Sequence, residues 1–192
     1  MTLFAGTVVV FATDPRSAGV PIDLEELITV SEPEDLSGCS LADLRIIRDG
    51  YQQVENGLSY ARRIVQGRLD TVTVELDRRQ EGSSDTDLMT RLPEALAAHT
   101  RGPGLPRPVR DLEPPAWADG LLSGLDEIIP PSQLGQISQM SDESLTAAAG
   151  RIGEFEKELS DARREIHQRI DRVQDQLVGR YRSGATVDDL LT

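Results

Sequence analysis

Two apolar seams, each advancing in steps of three and four residues, constrain this chain more than any other feature. The first runs Leu44, Ile47, Tyr51, Val54, Leu58, Ala61 and Val65, then continues through Leu69, Val72 and Leu76. The second runs Leu145, Ala148, Ile152, Phe155, Leu159, Ala162, Ile166, Ile170, Val173 and Leu177. Heptad spacing gathers such residues on one stripe of an α-helix, whereas a strand scatters them over both faces. Ser40, with Asp43 three residues on, gives a capping-box start to the first helix, and Gly82 gives a stop. Ser141 caps the second, Asp142 and Glu143 suit its first turn, and Gly184 offers its stop. The spacing predicts helices over about 41–81 and 142–182, each roughly 60 Å long. Neither buries its stripe alone, so the economical solution is packing on each other. The expected fold is all-α: a long antiparallel two-helix coiled-coil hairpin with a long irregular connector that contains short helices.

The rest of the chain is arranged around that hairpin. Residues 1–36 read as an irregular N-terminal arm, and residues 37–192 as one coiled-coil domain ending in a short tail. The connector, about 82–140, is far longer than a helix hairpin needs. It holds a short helix around "DLMTRLPEALAAH", interrupted at Pro93, an extended or turn-like "RGPGLPRPVRDLEPP", and a second short helix in "AWADGLLSGLDEII". Trp117, the only tryptophan, reads as a packing anchor rather than a platform for a ligand. The aromatic content of 4% disfavours a large globular core and suits long packed helices. The run "LFAGTVVVFA" is too short to span a membrane. The single cysteine, Cys39, excludes an intrachain disulfide and reads as a small packed residue at a helix entrance, which fits a cytoplasmic location. A net charge of −13 argues against direct binding to nucleic acid and suits a partner with a basic surface.

A second pattern overlies the first seam. "ENGLSYARRIVQGRLD", Glu55 to Asp70, and "EKELSDARREIHQRID", Glu156 to Asp171, are identical at 8 of 16 positions, six of them polar. On the first helix Glu55, Ser59, Arg62, Gln66 and Asp70 fall within an arc of ~80°, centred ~100° around the helix from the seam. The second helix repeats the stripe as Glu156, Ser160, Arg163, His167 and Asp171. Arginine donates two parallel bonds to guanine O6 and N7 or holds a phosphate, and a carboxylate accepts from guanine N1–H and its exocyclic amine. Ser and Gln reach ribose or phosphate oxygens. This mixture fits an anionic guanine nucleotide better than a metal, which wants His, Cys or clustered carboxylates at ligand spacing. No P-loop, GxGxxG or nucleophile–base pairing is present, so an enzyme is the weakest class. The competing reading is a structural scaffold or oligomerisation protein. Charges beside a heptad seam commonly form interhelical salt bridges, and internal duplication alone also accounts for the match.

The pattern E-x3-S-x2-R-x3-Q-x3-D, complete at Glu55, Ser59, Arg62, Gln66 and Asp70, resembles the cyclic di-GMP signature of the actinobacterial RsiG anti-sigma factors. Those proteins carry it on two helices of an antiparallel coiled coil. The second copy departs once, with His167 where the family has Gln, and an imidazole does not reproduce both amide functions. The resemblance covers roughly residues 40–80 and 141–191. It implies an anti-sigma factor with no cofactor, which takes cyclic di-GMP as its ligand. That ligand completes a complex with a WhiG-type sporulation sigma factor and keeps it from RNA polymerase. The ten stripe residues are the implied contacts.

Overall fold

The computed structural model describes residues 36–82 and 114–183, together with Leu24, Leu27 and Pro93. Most of the expected arm, the helix around Pro93, the stop at Gly184 and the tail lie outside the described residues. The order of elements is α1 (Leu41–Gln80), a 3-10 helix (Ala116–Leu122), α2 (Ser123–Ile128), α3 (Pro131–Leu134), a second 3-10 helix (Ile137–Gln139) and α4 (Asp142–Arg182). No strand occurs among the described residues. No helix among them is long and apolar enough to cross a membrane.

The ends of the long helices follow local chemistry. The Asp43 backbone N–H donates to Ser40 Oγ at 3.1 Å, and the Ser40 N–H donates back to Asp43 Oδ2 at 3.1 Å, a reciprocal capping box. α1 stops where Gly82 takes φ +66°, a left-handed conformation that only glycine adopts without strain. At the start of α4 the Ser144 N–H donates to Ser141 Oγ at 3.2 Å.

The chain divides into two compact units. One comprises Met1–Ala61, Pro114–Leu121 and Leu159–Thr192; the other comprises Arg62–Glu113 and Leu122–Glu158. In the first, Leu44, Ile47, Tyr51, Val54, Leu58 and Ala61 of α1 are buried with Leu159, Ala162, Ile166, Val173 and Leu177 of α4. The direction is antiparallel, since Arg45 meets Tyr181 while Glu55 meets Arg163. Arg180 ties the two ends, donating to the carbonyls of Ser37 at 2.8 Å, of Leu36 at 3.3 Å and of Cys39. Trp117 is 3% exposed and packs on Gly57 so closely that a Cβ there would lie 2.3 Å from its ring. The glycine makes room for the indole, and Trp117 is the packing anchor that the sequence suggests.

In the second unit Val65 and Val72 of α1 are buried with Leu145, Ala148 and Ile152 of α4 and with Leu125, Ile129 and Ile137 of the connector. Arg62 meets Glu156 and Arg79 meets Asp142, so the direction is again antiparallel. The expected second connector helix is real but split, with a 3-10 turn over Ala116–Leu122 leading into α2.

The seams need one correction. Leu69, Leu76 and Ile170, expected in them, are only half-buried, while Arg68, Glu75 and Arg169 are buried. Phe155 is half-buried as well, although it stands on the stripe; strict alternation explains the other three. Three residues after Val65 comes Arg68, three after Val72 comes Glu75, and three after Ile166 comes Arg169. Following apolar residues therefore leaves the true stripe. Each buried charge has an ionic partner, as burial demands. Arg68 donates to the Ile129 carbonyl at 3.0 Å and pairs with Asp126 at 2.5 Å. Glu75 accepts from Arg78 at 2.8 Å and from Arg79 at 2.6 Å, and Arg169 donates to Glu165 at 2.8 Å.

Candidate functional site

The heptad seam turns the polar stripe of each helix to the rim of the helix pair. In the first unit Gly57, under Trp117, points about 160° around α1 from Glu55. In the second, Arg68, bound to the connector, points about 160° from Gln66. The described connector therefore packs against the flank opposite the stripe in each unit.

In the first unit Glu55 of α1 gathers three partners on one oxygen, Oε1. Ser59 donates its hydroxyl at 2.7 Å, Arg163 of α4 donates Nε–H at 2.8 Å, and His167 Nε2 lies 3.4 Å away. Arg163 Nε–H also reaches Ser59 Oγ at 2.8 Å. Burial pushes the Glu55 carboxyl up, but the bonds from Ser59 and Arg163 and the nearby charges outweigh it and hold the group below its ordinary value. Glu55 is thus an ionised anchor for an arginine from the opposite helix.

The second unit contains the same construction with the helices exchanged. Glu156 of α4 accepts from Arg62 Nη1 of α1 at 3.0 Å and from Gln66 Nε2 at 3.2 Å. Gln66 and His167, which occupy matching places in the repeat, both lie against the carboxylate of the opposite helix. Ser160 and Asp70 are half-buried on their helices, and Asp171 stands exposed one turn beyond His167. The structure therefore brings together Glu55, Ser59, Arg163 and His167 in one cluster and Arg62, Gln66 and Glu156 in the other.

The arginines keep donors in reserve. Arg163 spends Nε–H on its two acceptors, and neither of its terminal nitrogens bonds to a described residue. Arg62 spends Nη1 and keeps the Nε–Nη2 edge. Either remaining edge has the two-donor geometry that matches O6 and N7 of guanine or two phosphate oxygens. With side chains 17–34% exposed, the pairs are open to solvent on one side. Cross-helix pairs of that exposure contribute about 0.2–1 kcal/mol each. A bidentate contact of arginine to guanine is worth about 1–3 kcal/mol, so a ligand can draw the arginine over at small cost.

Sequence reasoning missed the residues that back this rim: Gly57, which lets Trp117 close on α1, and the matched pair Arg68 and Arg169. The signal for the pair was present, because both stand at the same place in the repeat and in the strict heptad. A family model described as RsiG-like matches residues 30–96 and 131–192, which include both long helices and all ten stripe residues. No curated protein matches the chain.

Proposed function

This chain belongs to the RsiG-like family, and on that premise we propose that it is an anti-sigma factor whose two clusters bind cyclic di-GMP and, so loaded, hold a WhiG-type sigma factor away from core RNA polymerase. Family membership supports the anti-sigma role. The ligand and the particular sigma factor rest on the stripe itself. The observation that carries the reading is the repeated clamp, in which a carboxylate of one helix fixes an arginine of the other and leaves a two-donor edge unspent.

In this mechanism the arginines take the guanines or phosphates, Ser160 and Gln66 supply neutral donors, and Ser59, whose hydroxyl is given to Glu55, braces the clamp. Asp70 and Asp171 accept from the guanine N1–H and amine. The protein acts by binding rather than catalysis. Its output is a sigma factor held while the dinucleotide is abundant and released by mass action when it falls. The acidic surface, from a net charge of −13, favours encounter with the basic, DNA-facing surface of a sigma factor.

A second reading has its own observation. Arg62–Glu156 and Arg163–Glu55 are already paired across the helices, as a purely structural coiled coil would have them. One experiment separates the two: capture of a purified WhiG-type sigma factor on the immobilised protein, with and without cyclic di-GMP. Retention only with the dinucleotide is expected. Equal retention in both arms, or none in either, refutes the proposal and leaves the scaffold reading.

A further inference from the structure

The two clusters differ in one chemical respect. Gln66 donates to Glu156 through Nε2 at 3.2 Å, and the second N–H of the same amide stays available to a ligand at any pH. His167 stands in the matching place, with Nε2 3.4 Å from Glu55 Oε1. A neutral imidazole has a single N–H. If that proton faces Glu55, Nδ1 presents a lone pair, which repels a phosphate oxygen. Only the imidazolium donates in both directions. His167 is 46% exposed at its side chain, so solvent delivers the proton freely.

Charged groups surround His167. Glu55 faces it from α1. On its own helix Arg163 and Arg164 lie one turn before it and Asp171 one turn after. Arg48, two turns before Glu55 on α1, is paired with Asp49 at 2.8 Å. Glu55 is held ionised by Ser59 and Arg163. An arriving phosphate adds negative charge to this set.

We propose that ligand binding at this stripe is proton-linked, with His167 taking up one proton as an anionic dinucleotide binds, while the Gln66 cluster binds without one. The inference rests on the cyclic di-GMP reading above and adds a regulatory input to it: acidification strengthens the complex and alkalinisation weakens it. One linked proton changes affinity by up to about tenfold per pH unit.

The test is calorimetric titration of cyclic di-GMP into the full chain with its sigma partner, from about pH 6 to pH 8. Two buffers of different ionisation enthalpy count the protons. Wild type takes up as much as one proton per complex and binds several-fold more tightly at the acidic end. His167→Gln binds without that slope, and Gln66→His gains a second one. Groups on the sigma factor titrate identically in all three proteins and cancel in the comparison. If wild type and His167→Gln bind with the same slope, the inference falls while the ligand reading stands. If no variant binds the dinucleotide at any pH, the ligand reading falls and takes the inference with it.

Discussion

Replacing Gly57 by alanine tests how the connector is seated on α1. In an open helix interior the change stabilises by about 0.8–1 kcal/mol, because alanine loses less backbone entropy. Here the new Cβ would lie 2.3 Å from Trp117 Cη2 and 2.8 Å from Cζ2 and Cζ3. The indole is rigid and 3% exposed, so it has nowhere to swing and must be pushed off the helix. Overpacking of this kind costs about 1–3 kcal/mol. The net expectation is destabilisation by about 0–2 kcal/mol, with a red shift of the single tryptophan's emission as it loses its cover. Gly67 is the control, since a Cβ there meets nothing within 4 Å, and Gly67→Ala should stabilise by about 1 kcal/mol. In a Trp117→Ala background the sign of Gly57→Ala should reverse, giving a coupling of about 2 kcal/mol in a double-mutant cycle. Urea unfolding followed by far-ultraviolet circular dichroism and by fluorescence measures all of these. A Gly57→Ala protein as stable as Gly67→Ala, with unshifted emission, would refute the reasoning.

Arg62→Ala and Arg163→Ala should each weaken dinucleotide-dependent sigma binding by roughly 5- to 150-fold, while helicity changes little, because the ion pairs they lose are worth only about 0.2–1 kcal/mol; thermal melts beside binding titrations check both halves of that statement. Arg79 donates to Glu75, Asp142 and the carbonyls of Ile137, Ser138 and Met140. Arg79→Lys has too few donors for that set and should lower stability by about 1–3 kcal/mol in urea unfolding. The Arg78 hydrogen bond, opposed by burial and helped by Arg79, holds the Glu75 carboxyl below its ordinary value. Its stabilisation is therefore present above the unfolded-state value of about 4 and is lost as pH falls through the lower folded value. Glu75→Gln should accordingly be less stable at neutral pH and show a shallower acid limb, as read from unfolding midpoints between about pH 2 and pH 7.

The hairpin was legible because Leu44 through Val65 and Leu145 through Ile166 keep one period without interruption, and a repeating period survives in sequence as plainly as in space. The stripe was legible for the same reason, since Glu55 to Asp70 and Glu156 to Asp171 share both spacing and chemistry. Legibility failed at Leu69, Leu76 and Ile170, where side-chain polarity was followed in preference to spacing. The burial of Arg68 depends on Asp126 and the Ile129 carbonyl, some sixty residues along the chain, and no local pattern announces such partners. The Trp117–Gly57 contact was hidden likewise, because both residues look ordinary until the connector folds back.

The crossed clamps also bear on which alignments of the two helices are allowed. A heptad seam repeats every seven residues, so its apolar side chains alone tolerate a slide of one helix by a full repeat. In the observed alignment Glu55 faces Arg163 and Arg62 faces Glu156. Slide α4 by seven residues one way and Glu55 comes opposite Glu156; slide it the other way and Arg62 comes opposite Arg163. Either slip trades an attraction for a repulsion while the greasy stripe stays matched. The same four side chains that hold donors ready at the rim therefore act as a key, fixing one alignment out of the several that the seam by itself would accept.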